Sequence, residues 1–341
     1  MFPKITLKDV AQHAGVSYQT VSKVLRNQMR VTPEVRDRIF SAVGELGYRP
    51  NVTARNLRLQ SSRLIGYSWE PWRQNFFNPV LEQFQQGIVE VAELLGYHIL
   101  LFPQRPGGDL VETYRDLVFT GRVDGFILSG LEYHDPRIRA LQQLDVPLVA
   151  FGRTQGKRPF AYVDVDGQAG LYAAMTHLFD QGHRRVAALA WPEHSRVGQE
   201  RLSGYLKAMD DAGLPVDPAW IARGTGDFEF GYSATPALLD LPSHRRPTAI
   251  VTMLDLMALG AMRALEECGL RVGQDVAVVG FDDMPVIQYL KPGLTSVRQP
   301  VWEVAQKVVE MLVSLLEGKP ADQQQVLLMP ELIVRESTSA R

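Results

Sequence analysis

The sequence predicts a small all-α domain with a helix-turn-helix, followed by an α/β region of two doubly wound parallel-sheet lobes. Three observations favour this fold class. Two short helical segments separated by a glycine stand near the N-terminus. Beyond residue 63, short apolar runs alternate with helical stretches, which is typical of parallel sheets covered by helices. The chain has 341 residues, 45% of them hydrophobic, which is enough for two or three packed domains.

The first helix is expected to begin after Thr6, because apolar residues recur at helical spacing as far as Ala14. Thr6 and Asp9 have the spacing of a capping box, in which each side chain bonds the backbone amide of the other residue. Gly15 then ends this helix, and Ser17 is suited to cap a second one. Two short helices joined by a turn that contains glycine predict a helix-turn-helix.

The second helix is expected to bury its valines and to point polar side chains outward. Gln19 can make a bidentate contact with adenine, and Lys23 can donate to guanine. Tyr18 offers a ring for a thymine methyl group and a hydroxyl for a phosphate. The alternative is that this face is merely solvated. The DNA-binding surface that we predict here consists of Thr6, Ser17, Tyr18, Gln19, Thr20, Ser22, Lys23 and Arg26.

A third helix should follow, with Thr32 as its cap, Pro33 at its first position and Gly47 at its end. Charge supports DNA binding by this domain. The first 63 residues hold eleven Lys and Arg against four Asp and Glu, whereas the whole chain has a net charge of −2. A basic N-terminal part on an acidic body is what attraction to phosphates predicts. We therefore assign residues 1–48 to a headpiece that binds double-stranded operator DNA.

The segments GVSYQTVSKVL and ELGYRPNVTARNL resemble the DNA-binding headpiece and hinge of the LacI/GalR family of bacterial repressors. The resemblance implies that Tyr18, Gln19 and Lys23 read bases and that Leu57 wedges into the minor groove. It also implies that paired hinge helices form only against each other and against DNA. Lys23 stands where another family member carries Arg. Lys keeps the positive charge but lacks the planar guanidinium that donates two parallel hydrogen bonds. The base preferred at that step therefore stays open.

Residues 49–62 are assigned to this hinge helix and linker. Asn51 can cap a helix over residues 52–58, which is too short to be stable alone. An apolar wedge such as Leu57 can unstack base steps, although a small helix could also use it as a core residue. Arg55 would serve phosphates or a narrowed groove. The hinge residues predicted to bind DNA are Asn51, Ala54, Leu57 and Arg58.

The rest of the chain, residues 63–341, is predicted to form two α/β lobes. Four apolar runs, LIGYS, HILLF, DGFIL and PLVAF, alternate with helices in the first half, and FAYVDV, RVAALA, PTAIVTM and VAVVGF do so in the second. We place the first lobe at about 63–160 plus 293–325 and the second at about 161–292 plus 326–341. The carboxyl ends of the strands should meet at a cleft between the lobes.

This region also resembles the family, whose effector domain is shared with periplasmic sugar-binding proteins. The matching segments are HLFDQGHRRVAAL, RLSGY, DLMALGAMRAL, VVGFDD and LTSVRQP. The resemblance implies that Arg201 contacts an effector, that Asp282 binds sugar hydroxyls and that Phe228 stacks on the ligand. Asp282 could also be a turn residue that follows a strand. The chain ends without the extra heptad helix that makes one family member a tetramer, so a homodimer is expected.

Aromatic rings beside a carboxylate and an amide follow the first strand, and this combination suits a sugar. Trp72 and Phe77 could equally be core or interface residues. Leu254 stands where relatives usually carry a polar residue, so an unusual sugar, a glycoside or a non-sugar ligand becomes more plausible. The predicted effector site consists of Trp69, Glu70, Asn75, Phe76, Arg153, Arg201, Phe228, Leu254, Asp282 and Gln299.

The sequence contains none of the common phosphate-loop, dinucleotide, nucleophile-elbow or His-metal motifs, which argues against an enzyme and against a cofactor or metal. A lone Cys268 and the absence of a signal segment or a long apolar run lead us to expect a cytoplasmic protein without a membrane segment. We predict a repressor of carbohydrate-utilisation genes that a sugar-like inducer releases. The alternatives are a nucleobase or other non-sugar corepressor, a two-lobed sugar-processing enzyme, or an exported binding protein.

Overall fold

The computed structural model describes residues 5–25, 28–49, 61–69, 78–104, 111–154, 158–319 and 324–338. The chain divides into two compact units, Met1–Ser62 and Arg63–Arg341. The boundary between these units falls at the end of the predicted linker, residues 49–62. Within the described ranges, no helix has the length and hydropathy needed to span a bilayer.

The first unit contains three helices, α1 (Leu7–Ala14), α2 (Tyr18–Val24) and α3 (Pro33–Leu46). The predicted capping box is present: the Asp9 amide donates to the Thr6 hydroxyl, and the Asp9 carboxylate accepts from the Thr6 amide at 2.7 Å. Gly15 ends α1 at φ 63°, a conformation that favours glycine. The helix-turn-helix is therefore confirmed.

A small apolar core joins the three helices. Val10 from α1, Val21 from α2 and Ile39 from α3 are each 0% exposed. One predicted detail differs, because the Thr32 side chain makes no capping hydrogen bond to α3. Pro33 at the first position of α3 has no amide hydrogen, so one fewer donor needs a partner there.

The second unit consists of two lobes. The sheet of the first lobe has six parallel strands in the order β11-β5-β4-β3-β1-β2. Its strands are β1 (Leu64–Trp69), β2 (His98–Pro103), β3 (Gly125–Leu128), β4 (Leu148–Phe151), β5 (Ala161–Val165) and β11 (Gln325–Leu328). Its helices are α4 (Pro79–Leu94), α5 (Glu112–Phe119), α6 (Pro136–Gln143) and α11 (Val301–Leu316).

The sheet of the second lobe has the order β12-β10-β9-β8-β6-β7, and β12 runs antiparallel to β10. Its strands are β6 (Val186–Ala190), β7 (Ile221–Arg223), β8 (Ala249–Thr252), β9 (Ala277–Asp282), β10 (Thr295–Arg298) and β12 (Glu331–Ile333). Its helices are α7 (Gly167–Asp180), α8 (Arg196–Asp211), α9 (Phe228–Leu239) and α10 (Asp255–Glu267). Short 3-10 turns occur at Pro218–Trp220, Pro285–Tyr289 and Glu336–Thr338.

The crossovers between the lobes lie later along the chain than we predicted. We assigned β5 to the second lobe, yet it pairs with β4 in the first sheet, where Gly152 donates to the carbonyl of Val163 at 2.9 Å. We assigned residues 293–325 to the first lobe, yet β10 belongs to the second sheet. We assigned residues 326–341 to the second lobe, yet all of β11 belongs to the first sheet. An apolar run shows that a strand exists but does not specify which neighbour satisfies its backbone hydrogen bonds.

Candidate DNA-binding helix and effector site

The second helix of the helix-turn-helix presents the predicted base-reading side chains to solvent. Tyr18 is 49% exposed, and Gln19 and Lys23 are also exposed. Ser17 and Thr20 are instead engaged at the start of the helix, where the Ser17 hydroxyl accepts from the Thr20 amide at 3.1 Å. The structure thus separates three outward side chains from two that stabilise the helix end.

Two further members of the predicted DNA surface have structural constraints of their own. Ser22 is half-buried on α2. The Thr6 hydroxyl lies in the capping box and donates to Asp9 at 2.7 Å. Several predicted residues lie outside the described part of the chain. These are Arg26, Asn51, Ala54, Arg55, Leu57 and Arg58 for DNA, and Glu70, Trp72, Asn75, Phe76 and Phe77 for the effector.

Three predicted effector residues meet in the second lobe. Arg201 in α8 is 5% exposed, and its Nη2 lies 3.6 Å from Oδ1 of Asp282 at the end of β9. Gln299, which follows β10, donates from Nε2 to the same Oδ1 at 2.7 Å. Arg201 also donates through Nη1 to the carbonyl of Met253. The structure therefore brings a guanidinium, a carboxylate and an amide together at the carboxyl ends of adjacent strands.

Burial changes the acid–base properties of this group. It raises the pKa of Asp282 to about 6, although Arg201 and Gln299 oppose the shift. Burial also lowers the pKa of Arg201, against the attraction of Asp282 and other carboxylates. Asp282 has φ 109°, a conformation unusual for a residue with a side chain. A buried donor and acceptor of this kind can bond a ligand hydroxyl from both sides.

Aromatic and apolar side chains form one wall of this site. The Arg201 guanidinium lies 3.7 Å from the centre of the Phe281 ring and 5.2 Å from that of Trp191. Leu254 precedes α10 and is half-buried. A Cβ on Gly226 would lie 2.7 Å from Leu254 and 2.1 Å from Trp191, so these two side chains close over the same glycine. Leu254 and Trp191 therefore lie beside each other.

Trp191 was not among the residues predicted from the sequence. It directly follows β6, and the carboxyl end of a parallel strand is where ligand-facing side chains are expected. An aromatic residue at that position was the available signal.

Arg153 follows β4 and contacts α8 rather than Asp282. It pairs with Glu200 through Nη2, and its Nε lies 3.6 Å from Oδ2 of Asp164. Arg196 reaches the same two carboxylates. Ser195 caps α8, which begins at Arg196, so the Arg196 guanidinium lies at the first turn of this helix.

The two aromatic residues of the predicted effector site that the structure describes, Trp69 and Phe228, occupy exposed positions. Trp69 ends β1 and is 40% exposed. Phe228 begins α9, is 37% exposed and stacks on Tyr232, with ring centres 6.2 Å apart and ring planes at 8°. Phe228 also lines a surface pocket of about 260 Å³, whose described lining includes neither Arg201 nor Asp282. The structure does not bring Phe228 together with the Arg201 group.

A helix-turn-helix with an exposed second helix and a two-lobed α/β domain with polar side chains at its strand ends define a DNA-binding regulator with an effector domain. Profiles of known families agree with this class. The profile described as bacterial regulatory proteins, lacI family, matches residues 6–51. A periplasmic binding protein-like domain matches residues 175–338.

Individual proteins match most or nearly all of this chain. The HTH-type transcriptional repressor CytR of Escherichia coli K12 is 34% identical over 336 residues, covering 98% of this chain and 96% of CytR. A LacI-family regulatory protein from Chloroflexus aggregans is 48% identical, with a TM-score of 0.78, over 82% of this chain and all of that structure. The lac repressor dimer bound to operator and the anti-inducer ONPF is 30% identical, with a TM-score of 0.85, over 99% and 100% of the two chains.

The chain therefore belongs to the LacI family of bacterial regulatory proteins. It is a DNA-binding transcriptional repressor and not an enzyme. The fold class predicted from the sequence, a helix-turn-helix headpiece with a two-lobed α/β domain of the periplasmic binding protein type, is confirmed.

Proposed function

We propose that the protein is a homodimeric repressor that binds a nearly palindromic operator and is controlled by a small sugar-like effector. Each headpiece would read one half-site, and the two-fold symmetry of the dimer would match that of the operator. The observation that carries this proposal is the outward face of α2, where Tyr18, Gln19 and Lys23 are exposed together. The lac repressor relative is a dimer on operator DNA, which supports the same assembly here. Because its target is chromosomal DNA, we expect the protein to act in the cytoplasm.

The effector would bind at the group formed by Arg201, Asp282 and Gln299. Arg201 Nε is buried and makes no hydrogen bond to the described residues, so it is a donor that a ligand could satisfy. A sugar hydroxyl can donate to the Asp282 carboxylate and accept from such a guanidinium. The apolar wall of Leu254 and Trp191 would then face a less polar part of the ligand, as in a glycoside.

A nucleoside or nucleobase corepressor is the second candidate. The observation that favours it is the same wall, because a flat heterocycle can lie against Trp191 and Leu254 and still bond a carboxylate and a guanidinium. Binding of a sugar or of a base would be linked to the DNA site through a coupling free energy, typically about 1–3 kcal/mol. We expect a sugar-like effector to act as an inducer that weakens operator binding, whereas a nucleobase corepressor would strengthen it.

The DNA part of the proposal is tested by selecting bound duplexes from a random library and then measuring the complex by analytical ultracentrifugation. Selected sequences should be nearly palindromic, and two chains should bind one duplex. A selected site without symmetry, bound by a single chain, would contradict the dimer proposal.

The effector part is tested with a thermal-shift screen of neutral sugars and nucleosides. A ligand at 100 times its dissociation constant should stabilise the protein by about 2.7 kcal/mol. The ligand found is then added to the protein on its selected duplex. Release of DNA identifies an inducer, whereas tighter binding identifies a corepressor.

A further inference from the structure

Five charged residues form a continuous cluster where the first lobe meets the second. Glu132 follows β3, Arg153 follows β4 and Asp164 lies in β5, so all three belong to the first lobe. Arg196 and Glu200 stand one turn apart in α8 of the second lobe. We call these five residues the interlobe cluster.

Ion pairs and one hydrogen bond join the two lobes in this cluster. Glu200 pairs through Oε1 with Arg153 of the other lobe and through Oε2 with Arg196 of its own helix at 2.9 Å. Asp164 Oδ2 lies 3.6 Å from both Arg153 Nε and Arg196 Nη2. The Arg196 amide donates to Glu132 Oε2 at 3.2 Å. Three of these five contacts cross between the lobes, and the other two, one in each lobe, complete the group.

Three residues of the cluster, Asp164, Arg196 and Glu200, are buried to an unusual degree for charged residues, whereas Glu132 is exposed. Asp164 is 6% exposed and Arg196 is 8% exposed, and the Glu200 side chain is 14% exposed. Buried charges are retained only when paired, so moving the lobes apart would leave these groups without partners until water reached them. An exposed ion pair would be screened by salt and would hold the lobes only weakly.

We propose that the interlobe cluster is a clasp that holds the two lobes together without any ligand. The ion pairs of this clasp connect side chains of one lobe directly to side chains of the other. Lobe closure therefore does not require an effector to bridge the cleft. Glu200 and Arg201 are adjacent in α8, one facing the other lobe and the other facing Asp282. A ligand that shifts Arg201 would therefore disturb the clasp directly. Regulation would proceed by loosening or rotating a closed domain rather than by closing an open one.

The clasp is tested by single-molecule FRET on the full-length protein without added ligand. One dye is attached to Cys268, which is exposed in the second lobe, and the other to a cysteine that replaces Glu93, which is exposed on α4 of the first lobe. Excess unlabelled protein is added so that a dimer carries one labelled chain. Wild type should give a single closed population.

The variants Glu200→Gln and Arg153→Gln should each raise the open population at least tenfold. The double variant should open less than the two single effects combined predict, because both substitutions remove the shared Arg153–Glu200 pair. Asp211→Asn is the matched control, since Asp211 pairs with Lys207 at 2.7 Å on the same helix and within one lobe. It should leave the distribution unchanged.

An unchanged distribution in Glu200→Gln and Arg153→Gln would overturn the clasp, as would an equal opening in Asp211→Asn. If Glu200→Gln does not fold, Arg153→Gln carries the test, because Arg153 is the more exposed partner, at 29% of its side chain. None of these outcomes depends on the operator or on the identity of the effector, so failure of the clasp and failure of the proposed function are distinguishable.

Discussion

Gln19 and its neighbours Tyr18 and Lys23 are the side chains of α2 that we propose to read the DNA sequence, since they are the ones on this helix that are exposed. An amide that bonds adenine at two points discriminates against other bases by about 1–3 kcal/mol. Sequence alone could place these residues on one helical face, because helical spacing separates Val21 and Val24 from the polar positions.

Replacing Gln19 with Ala should weaken binding to the selected operator by roughly 1–3 kcal/mol and relax preference at one base position. Fluorescence anisotropy with the operator and its single-base variants measures both effects. Gln12→Ala, on the exposed part of α1, serves as the control and should change specificity little. An equal loss on random DNA would mean that Gln19 contacts phosphate instead.

Asp282 should decide effector binding while leaving DNA binding intact. Asp282→Asn keeps the side-chain shape but removes the charge that Arg201 and Gln299 contact. We expect the thermal shift caused by the ligand found in the screen to disappear, because one or two lost charged hydrogen bonds are worth about 1.5–3 kcal/mol each. Operator affinity should stay within about twofold of wild type. Asp275→Asn, in a surface pair with Arg271, is the control. A normal shift in Asp282→Asn would remove Asp282 from the site.

Asp164 makes stability depend on pH. Burial raises its pKa to about 6, with Arg196 and Arg153 opposing the shift and Glu200 adding to it. Between about pH 4 and pH 6 the folded state holds this proton more tightly than the unfolded chain, so the group costs stability as pH rises through that window. Relative to Asp164→Asn, wild type should lose on the order of 1–3 kcal/mol from pH 4 to pH 7.

Urea unfolding of both proteins at several pH values measures that difference. A difference between wild type and Asp164→Asn that stays constant from pH 4 to pH 7 would show that Asp164 titrates normally.

At the scale of elements, most helices and strands were predictable from local signals, such as the caps at Thr6 and Ser17. What could not be predicted is how elements pair. β5 continues the first sheet although its apolar run resembles those of the second half, because sheet membership is decided by a non-local partner. The cluster of Arg153, Asp164 and Glu200 was missed for the same reason, since its members come from three separate elements.

Close packing of α9 on α10 supports the second lobe and rests on two glycines. A Cβ on Gly260 would lie 2.1 Å from the carbonyl oxygen of Phe228, and one on Gly231 would lie 2.1 Å from that of Met257. Gly260→Ala should therefore force the helices apart and cost about 1–3 kcal/mol in urea unfolding. Gly44→Ala in α3, where a Cβ would meet nothing within 4 Å, should instead stabilise the headpiece by about 0.5–1 kcal/mol. Similar effects of both substitutions would contradict this account of the packing.

At the scale of the whole molecule, the separation of charge follows the separation of function. The basic headpiece is drawn to phosphates at long range, while the larger acidic unit carries the buried site around Arg201. Sequence could predict this division from composition and motifs. It could not show that Phe228 stacks on Tyr232 at the surface, since the orientation of a helix start depends on tertiary packing.

The most direct test of the central claim, that α2 reads a specific duplex, is equilibrium titration of the full-length protein with its selected operator and a scrambled duplex of equal length. We expect the operator to be bound at least about 10³-fold more tightly at physiological salt, with affinity for both duplexes falling as salt increases. Equal affinity for the two duplexes, or no binding to either at low salt, would contradict the account.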